Sequence, residues 1–246
     1  MWQVFSCTYG SMQPSLMSQS SLFIDIGNSA VKWRTCDSEV FTQGVGLFSL
    51  KLLPNANSVW LSAVAHPNIV QAIKTQFSNV KLVEPLKQYG RLTLSYDDPS
   101  KLGVDRFLAM LAALERFPNS PLLVIDAGSA VTFDVIDAKG IHQGGLIMPG
   151  LKALRESFAK FSTNDLSINT SELKSSTEGA WQSGTHTMLV SAVNSQIHNF
   201  ELKYPGLVIT ICGGIVKEII NELPESVKSF DNLVLDGLES YSQSMG

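Results

Sequence analysis

Two stretches of this chain repeat one another. Residues 22–33 read LFIDIGNSAVKW and residues 123–133 read LVIDAGSAVTF. In each, an apolar run ends in Asp-x-Gly, a small hydroxyl residue follows, and Ala-Val opens a second, alternating run. A single Asp-x-Gly is a common turn. Two copies in the same strand–turn–strand setting, roughly a hundred residues apart and so about one small domain apart, imply two similar lobes facing each other across a cleft.

The intervening pattern fits that reading. Apolar runs at 22–26, 58–64, 122–125 and 207–212 have strand length, and 31–35 and 131–136 alternate as returning strands should. Helices are expected near 69–77 and 105–117. In the second, Phe107, Met110, Leu111 and Leu114 recur at i, i+3, i+4 and i+7 and form one buried stripe. A further amphipathic helix is expected at 215–223, after Gly213 and Gly214, and Asp137–Gly140 supplies a hairpin turn. Strands alternating with helices make this an α/β protein. The expected division is a disordered, Ser- and Met-rich leader at 1–20, with Met17 as an alternative start, then an N-terminal lobe at 21–117 and a C-terminal lobe at 118–246.

Composition narrows the function classes. With 18 Lys and Arg against 22 Asp and Glu, the 246-residue chain has a net charge of −4 and offers no basic face for nucleic acid. No apolar run approaches the ~20 residues that span a bilayer. No Lys or Arg precedes Lys32, so the basic start of a secretory signal is missing. Cys7, Cys36 and Cys212 are odd in number and far apart, which suits a reducing cytoplasm better than a disulfide framework. The expectation is a cytoplasmic protein with neither nucleic acid nor membrane as partner.

The paired turns suggest phosphate chemistry. A strand ending in Asp-x-Gly offers several backbone N–H groups at a turn where glycine permits positive φ, and Asn28 and Ser29 add side-chain donors, a concavity suited to phosphate oxygens. Asp25 at the strand end can hold a hydrated Mg²⁺, which favours one or two carboxylates plus phosphate oxygens. Lys32 returns along the second strand toward the same place and can neutralise a transferring phosphate. The competing reading is that Asp25 and Asn28 only satisfy turn backbone. Neither GxxxxGK[ST] nor GxGxxG occurs, so the P-loop and Rossmann solutions are absent.

Five segments in order, DIGNSAVKWR at 25–34, GVDR at 103–106, DAGSAVT at 126–132, GGLIMPGL at 144–151 and STEGAWQSG at 176–184, resemble the type III pantothenate kinases, ATP-dependent enzymes that open coenzyme A biosynthesis. The resemblance covers the chain from residue 21 onward. It implies the actin, sugar kinase and acetate kinase superfamily, with two duplicated ribonuclease-H-like lobes around a nucleotide cleft. The family's first phosphate loop falls on Asp25, Ile26, Gly27, Asn28, Ser29, Ala30, Val31 and Lys32, with Ser29 where threonine is usual. The second falls on Asp126, Gly128, Ser129 and Thr132. There Asp126 takes the position that binds a monovalent cation, K⁺ or NH₄⁺, and Ser129 that of an ATP-contacting threonine. Gly213 and Gly214 match a segment near the adenosine, with Cys212 where threonine is common.

The GVDR segment, Gly103, Val104, Asp105 and Arg106, carries the acceptor chemistry. A hydroxyl being phosphorylated needs a carboxylate to take its proton. Asp105 matches the family's base, and Arg106 offers a fork suited to the substrate's carboxylate. Tyr96 and Thr177 match positions that hold pantothenate. Asp105 also has a plainer reading, as an acid in the first turn of a helix. The resemblance further implies a homodimer with the pantothenate pocket near the subunit interface. Two rival functions stay open: a non-catalytic relative acting as an accessory factor in transcriptional control, or another small-acid phosphotransferase of the superfamily. His66, His142, His186 and His198 show no metal-ligand spacing and read as surface or satisfied core residues. Trp33, Trp60 and Trp181 read as packing, and Asp134 either orients the cation site or faces solvent.

Overall fold

The computed structural model describes residues 20–36, 38–161 and 170–245. The expected leader at 1–20 lies outside them except for Ser20. That residue already belongs to the fold, since its carbonyl accepts from the Asn57 amide at 2.9 Å.

The duplication is visible as two five-stranded sheets of identical topology. In the first, β1 (Ser21–Ile26), β2 (Ala30–Thr35), β3 (Phe41–Gly44), β4 (Ser58–Ala63) and β5 (Val80–Leu82) lie in the order β3-β2-β1-β4-β5. Helix α1 (Pro67–Gln76) connects the last two, and β6 (Gln88–Tyr89) and β7 (Leu92–Thr93) form a separate ribbon. In the second sheet β8 (Leu122–Ala127), β9 (Ala130–Ile136), β10 (His142–Pro149), β11 (Val208–Cys212) and β12 (Val227–Ser229) repeat it as β10-β9-β8-β11-β12. Each sheet is an antiparallel three-strand meander continued by two parallel strands. This is the ribonuclease-H-like arrangement. The two hairpins differ by one residue: Ile26 and Val31 enclose four residues, Ala127 and Val131 only three, so Asn28 is the insertion.

Helix α2 (Val104–Arg116) fixes the relation between the lobes. All residues from Arg106 to Leu114 are buried, not the one stripe that the spacing suggests. The reason is tertiary: α2 is covered by α6 (Leu233–Met245) on one side and by β8, β9 and β4 on others. A helix buried all round has no polar face to display. Although α6 lies in the second half of the sequence, it seats against β1 and β4 of the first sheet. The chain therefore crosses back at its C-terminus instead of dividing cleanly at 117/118. Arg34 on β2 fastens that crossing through Asp236 (2.9 Å) and Glu239 (2.7 Å) of α6.

The remaining helices are α3 (Leu151–Glu156), α4 (Thr177–Lys203) and α5 (Val216–Ile219). The expected amphipathic helix at 215–223 is interrupted: α5 ends at Ile219 and a 3₁₀ turn, Ile220–Glu222, takes over. The turn at 137–140 forms as expected, with the Gly140 amide on the Asp137 carbonyl at 2.9 Å and Gly140 at φ +87°. Trp33 and Trp60 are core residues, and Trp181 donates to the Arg155 carbonyl at 3.0 Å beside Phe158 and Phe161. Among the described residues no helix is long and apolar enough to cross a membrane.

Candidate active site

The two repeated turns face each other at the mouth of the cleft between the sheets. Ser29 and Ser129, at equivalent places on the two loops, are hydrogen-bonded Oγ to Oγ at 2.7 Å. Beneath them lies a cavity of about 410 Å³ lined by Asp25, Asn28, Lys32, Asp105, Asp126 and Ser129, together with Gly27, Ala30, Gly128, Thr132, Gly213 and Gly214. It thus unites most of the first-loop positions with Asp105, Asp126 and Ser129, residues about a hundred positions away in the sequence.

Strand register explains why these side chains converge. Asp25 pairs with Lys32 across β1–β2, and Asp126 with Thr132 across β8–β9, so each pair points to the same inner face. Ile26 and Val31 also pair with each other but point the other way, and both are fully buried in the core under the first sheet. They shape the loop from below and show the cavity no side chain. Gly27 and Gly128 do not have positive φ, contrary to expectation. Their amides bond to the Ala30 and Ala130 carbonyls inside the turns, at 3.0 and 2.9 Å. Within the two turns, the N–H groups of Asn28, Ser29 and Ser129 have no partner among the described residues. Positive φ is needed instead at Gly213 (φ +116°), where a β-carbon would also collide with the backbone of Ala127. Only glycine lets the β11 loop approach the β8–β9 turn so closely.

The electrostatics of the cavity are unbalanced. Burial raises the Asp25 carboxyl to about 6, and the Ser62 hydroxyl, donating at 2.8 Å from the neighbouring strand, partly offsets this. Burial likewise lifts Asp126 to about 7, with the charges of Asp105 and Asp25 adding to the effect. At the position corresponding to Ser62, Asp126 has Cys212 as its parallel-strand neighbour, a far weaker donor. The Cys212 thiol is itself pushed well up by burial. Asp105, in the first turn of α2, is also raised by burial, although its carboxylate accepts from the Arg106 amide at 2.8 Å. Ser62 and Lys32 relieve Asp25, Lys32 relieves Asp126 and Arg106 relieves Asp105, yet all three carboxyls stay raised, which favours a cation or a proton beside them.

The other predicted positions fall in two places. Gly103 caps α2 at its N-terminus and Val104 is core. Arg106 and Tyr96 form a layer behind Asp105: Arg106 binds Asp134 through Nε (2.8 Å) and Nη2 (2.6 Å) and donates from Nη1 to the Tyr96 hydroxyl at 3.3 Å. Asp134 does not face solvent: it is 1% exposed and paired with Arg106 and His142. Thr177 is apart from all of these, exposed at the start of α4. The sequence reading missed Ser62, Lys152 and Glu218. Ser62 was detectable as the residue beside Asp25 in a parallel strand, whereas Lys152 and Glu218 reach the cavity only through helix placement.

The sequence model of the type III pantothenate kinases matches residues 21–199. The chain belongs to that family. A type III pantothenate kinase of Alcanivorax borkumensis is 32% identical over 89% of this chain and 96% of its own length. Among solved structures, a Campylobacter jejuni protein assigned to the Baf family of transcriptional activators superposes with a TM-score of 0.63 at 22% identity, covering 91% of this chain and 98% of that one. A sugar kinase, the ROK family glucokinase of Streptomyces griseus, reaches 0.51 at 8% identity over 92% and 99%. At such identities the structural likenesses establish the fold alone, a two-lobed fold shared with that glucokinase.

Proposed function

We propose that this family member transfers the γ-phosphoryl group of ATP to the 4′-hydroxyl of pantothenate, the first step of coenzyme A biosynthesis. The observation that supports this best is the convergence of Asp105, a helix-borne carboxylate, with both phosphate loops in one cavity. Phosphoryl transfer needs little covalent help from the protein; it needs positioning, a proton acceptor and charge stabilisation. The acceptor oxygen bonds to the γ-phosphorus as the bond to the β–γ bridging oxygen breaks, ADP departs, and the hydroxyl proton passes to Asp105. Lys32 and the free amides of Asn28, Ser29 and Ser129 stabilise the charge that spreads over the phosphoryl oxygens. Arg106 and Tyr96 hold the carboxylate end of pantothenate. An adjoining hollow of about 780 Å³ shares Lys32, Gly213 and Gly214 with the cavity, giving the nucleoside room beyond the phosphates.

The donor set also fits cations. Among the described residues no cluster of three or more ligands encloses a metal by itself, which suits Mg²⁺ held by Asp25 through water and completed by phosphate oxygens. Bound there, it would neutralise phosphate charge. A monovalent ion, K⁺ or NH₄⁺, at Asp126 would relieve the strongest electrostatic imbalance in the cavity. Replacing K⁺ by a bulky organic cation at constant ionic strength is expected to suppress turnover; full activity in the organic cation alone would remove this ion from the scheme.

Thr177 supports the homodimer. It is exposed and does not line the cavity that holds Asp105, and β10 is an edge strand that leaves Ile147 65% exposed. Such an edge invites a partner, and a second copy can bring its own Thr177 to this chain's acceptor site. Mixing inactive Asp105→Asn chains with inactive Thr177→Arg chains should then restore activity, up to about a quarter of wild type for random two-fold assembly. No restoration means Thr177 does not act across an interface. The defining assay is ATP consumption with pantothenate against a panel of small hydroxy acids. Preference for another acid would favour the rival phosphotransferase, and no turnover with any would favour the regulatory relative.

A further inference from the structure

His142 reads in the sequence as an ordinary core histidine, yet it joins Asp134, Ser95 and Tyr96 behind the acceptor end of the cavity. It is 1% exposed. Its Nε2 lies 2.9 Å from Asp134 Oδ1 and its Nδ1 lies 3.2 Å from Ser95 Oγ, while its ring stacks on that of Tyr96 at 5.9 Å between centroids and 8° between planes. An ionised carboxylate only accepts, so Nε2 carries the proton toward Asp134. Asp134 in turn holds the Nε and Nη2 edge of Arg106, and the attached guanidinium and imidazole keep its carboxyl below the usual range despite burial. One ring thus contacts both groups assigned to the acceptor, Arg106 through Asp134 and Tyr96 directly.

The local backbone is built for this arrangement. β10 carries an irregularity between His142 and Gly144, the latter at φ +103°, of the kind that re-aims a side chain. Opposite Asp134 in the ladder stands Gly145. A β-carbon there would lie 2.5 Å from both Arg106 Nη2 and Asp134 Oδ1 and would strike the Phe133 carbonyl. The absent side chain is the slot through which Arg106 reaches Asp134. Of the five guanidinium N–H groups, two go to Asp134 and one to Tyr96, which leaves one on Nη1 and one on Nη2 for an anion.

We propose that His142 is a positioning residue for the acceptor: by donating to Asp134 and stacking on Tyr96 it aims the remaining donors of Arg106 at the carboxylate of the substrate. This rests on the reading of Arg106 as the carboxylate anchor. Two replacements separate the functions of the ring. His142→Phe keeps the stacking and the volume but loses the donor, and His142→Gln keeps a donor for Asp134 without the ring.

The test compares steady-state kinetics on pantothenate and on its neutral primary amide. Relative to wild type, His142→Phe should raise KM for pantothenate roughly ten-fold or more, the scale of one charge-assisted hydrogen bond. KM for ATP should be unchanged, and the preference for the acid over the amide should shrink. His142→Gln should restore that preference. A merely structural role would move kcat, both KM values and the melting temperature together. Arg106→Gln is the control: if it leaves the acid-over-amide preference intact, the anchor reading itself fails. If Arg106→Gln abolishes the preference and His142→Phe does not change it, the assignment of His142 is overturned. Should the Phe variant fail to fold, Asp134→Asn, which conserves volume, must show the same selective loss of acid preference or the proposal falls.

Discussion

Asp105→Asn is expected to lower kcat by about 10²–10⁴, the usual cost of removing a general base, while ATP affinity stays within about two-fold because the loops proposed to hold its phosphates are untouched. Asparagine keeps the shape and can still accept from the Arg106 amide as Asp105 does at 2.8 Å, but it cannot take a proton. The plainer account of Asp105, a charge at a helix N-terminus, makes a different forecast: loss of at most about 1 kcal/mol of stability with turnover retained. That account has an additional difficulty. Burial raises Asp105 above an ordinary carboxylate, whereas a residue present for its interaction with the helix dipole should be held down. A variant retaining more than about a tenth of wild-type kcat at saturating pantothenate would end the assignment.

What the sequence disclosed and what it hid divide along physical lines. The repeat exposed the two lobes because strand–turn–strand units are local, and their hydrophobic alternation is written residue by residue. It exposed Asp25, Lys32 and Asp126 for the same reason: a strand end and the first residues of its return strand are neighbours in sequence and in register. The pairing of Asp134 with Arg106 and His142 joins α2 to two strands of the second sheet. No local signal marks such a contact, since a buried ion pair looks like surface charge until its partner is known. Pseudo-symmetry was a usable clue. Arg34 stands opposite Phe23 in the first sheet as Asp134 stands opposite Val124 in the second, and both inner-face charges bind a central helix, Arg34 to α6 and Asp134 to α2. The all-round burial of α2 was hidden for a related reason, because helix periodicity reports one packing partner and α2 has several.

The same crowding of carboxylates predicts an unusual dependence of stability on pH. Asp25 and Asp126 are raised from 3.8 to about 6 and about 7. Between these values and 3.8 the folded protein holds protons that the unfolded chain releases, so stability is greatest at the acidic side and falls as pH rises through 6 and 7. The combined loss by pH 8 is on the order of 3 kcal/mol or more, which for a chain of this size corresponds to roughly 5–10 °C in Tm. Groups shifted the other way, Asp134 and Glu222 among them, are lowered from already acidic values and give up their contribution only below this window. The unliganded protein should therefore melt higher at pH 5.5 than at pH 8, the reverse of ordinary acid sensitivity. Asp126→Asn removes the most perturbed carboxyl. It should raise Tm at pH 8, flatten the slope between pH 5.5 and 8, and abolish turnover, a gain in stability at the expense of the proposed cation site. Added K⁺ with Mg-ATP should raise Tm at pH 8 in the wild type more than in the variant, because a bound cation supplies the charge that protonation supplies at lower pH. Comparing the two proteins cancels the titration of histidines common to both. Equal slopes in calorimetric scans of wild type and Asp126→Asn would show that Asp126 is not under electrostatic stress, and the argument for a cation beside it would then rest on the family resemblance alone.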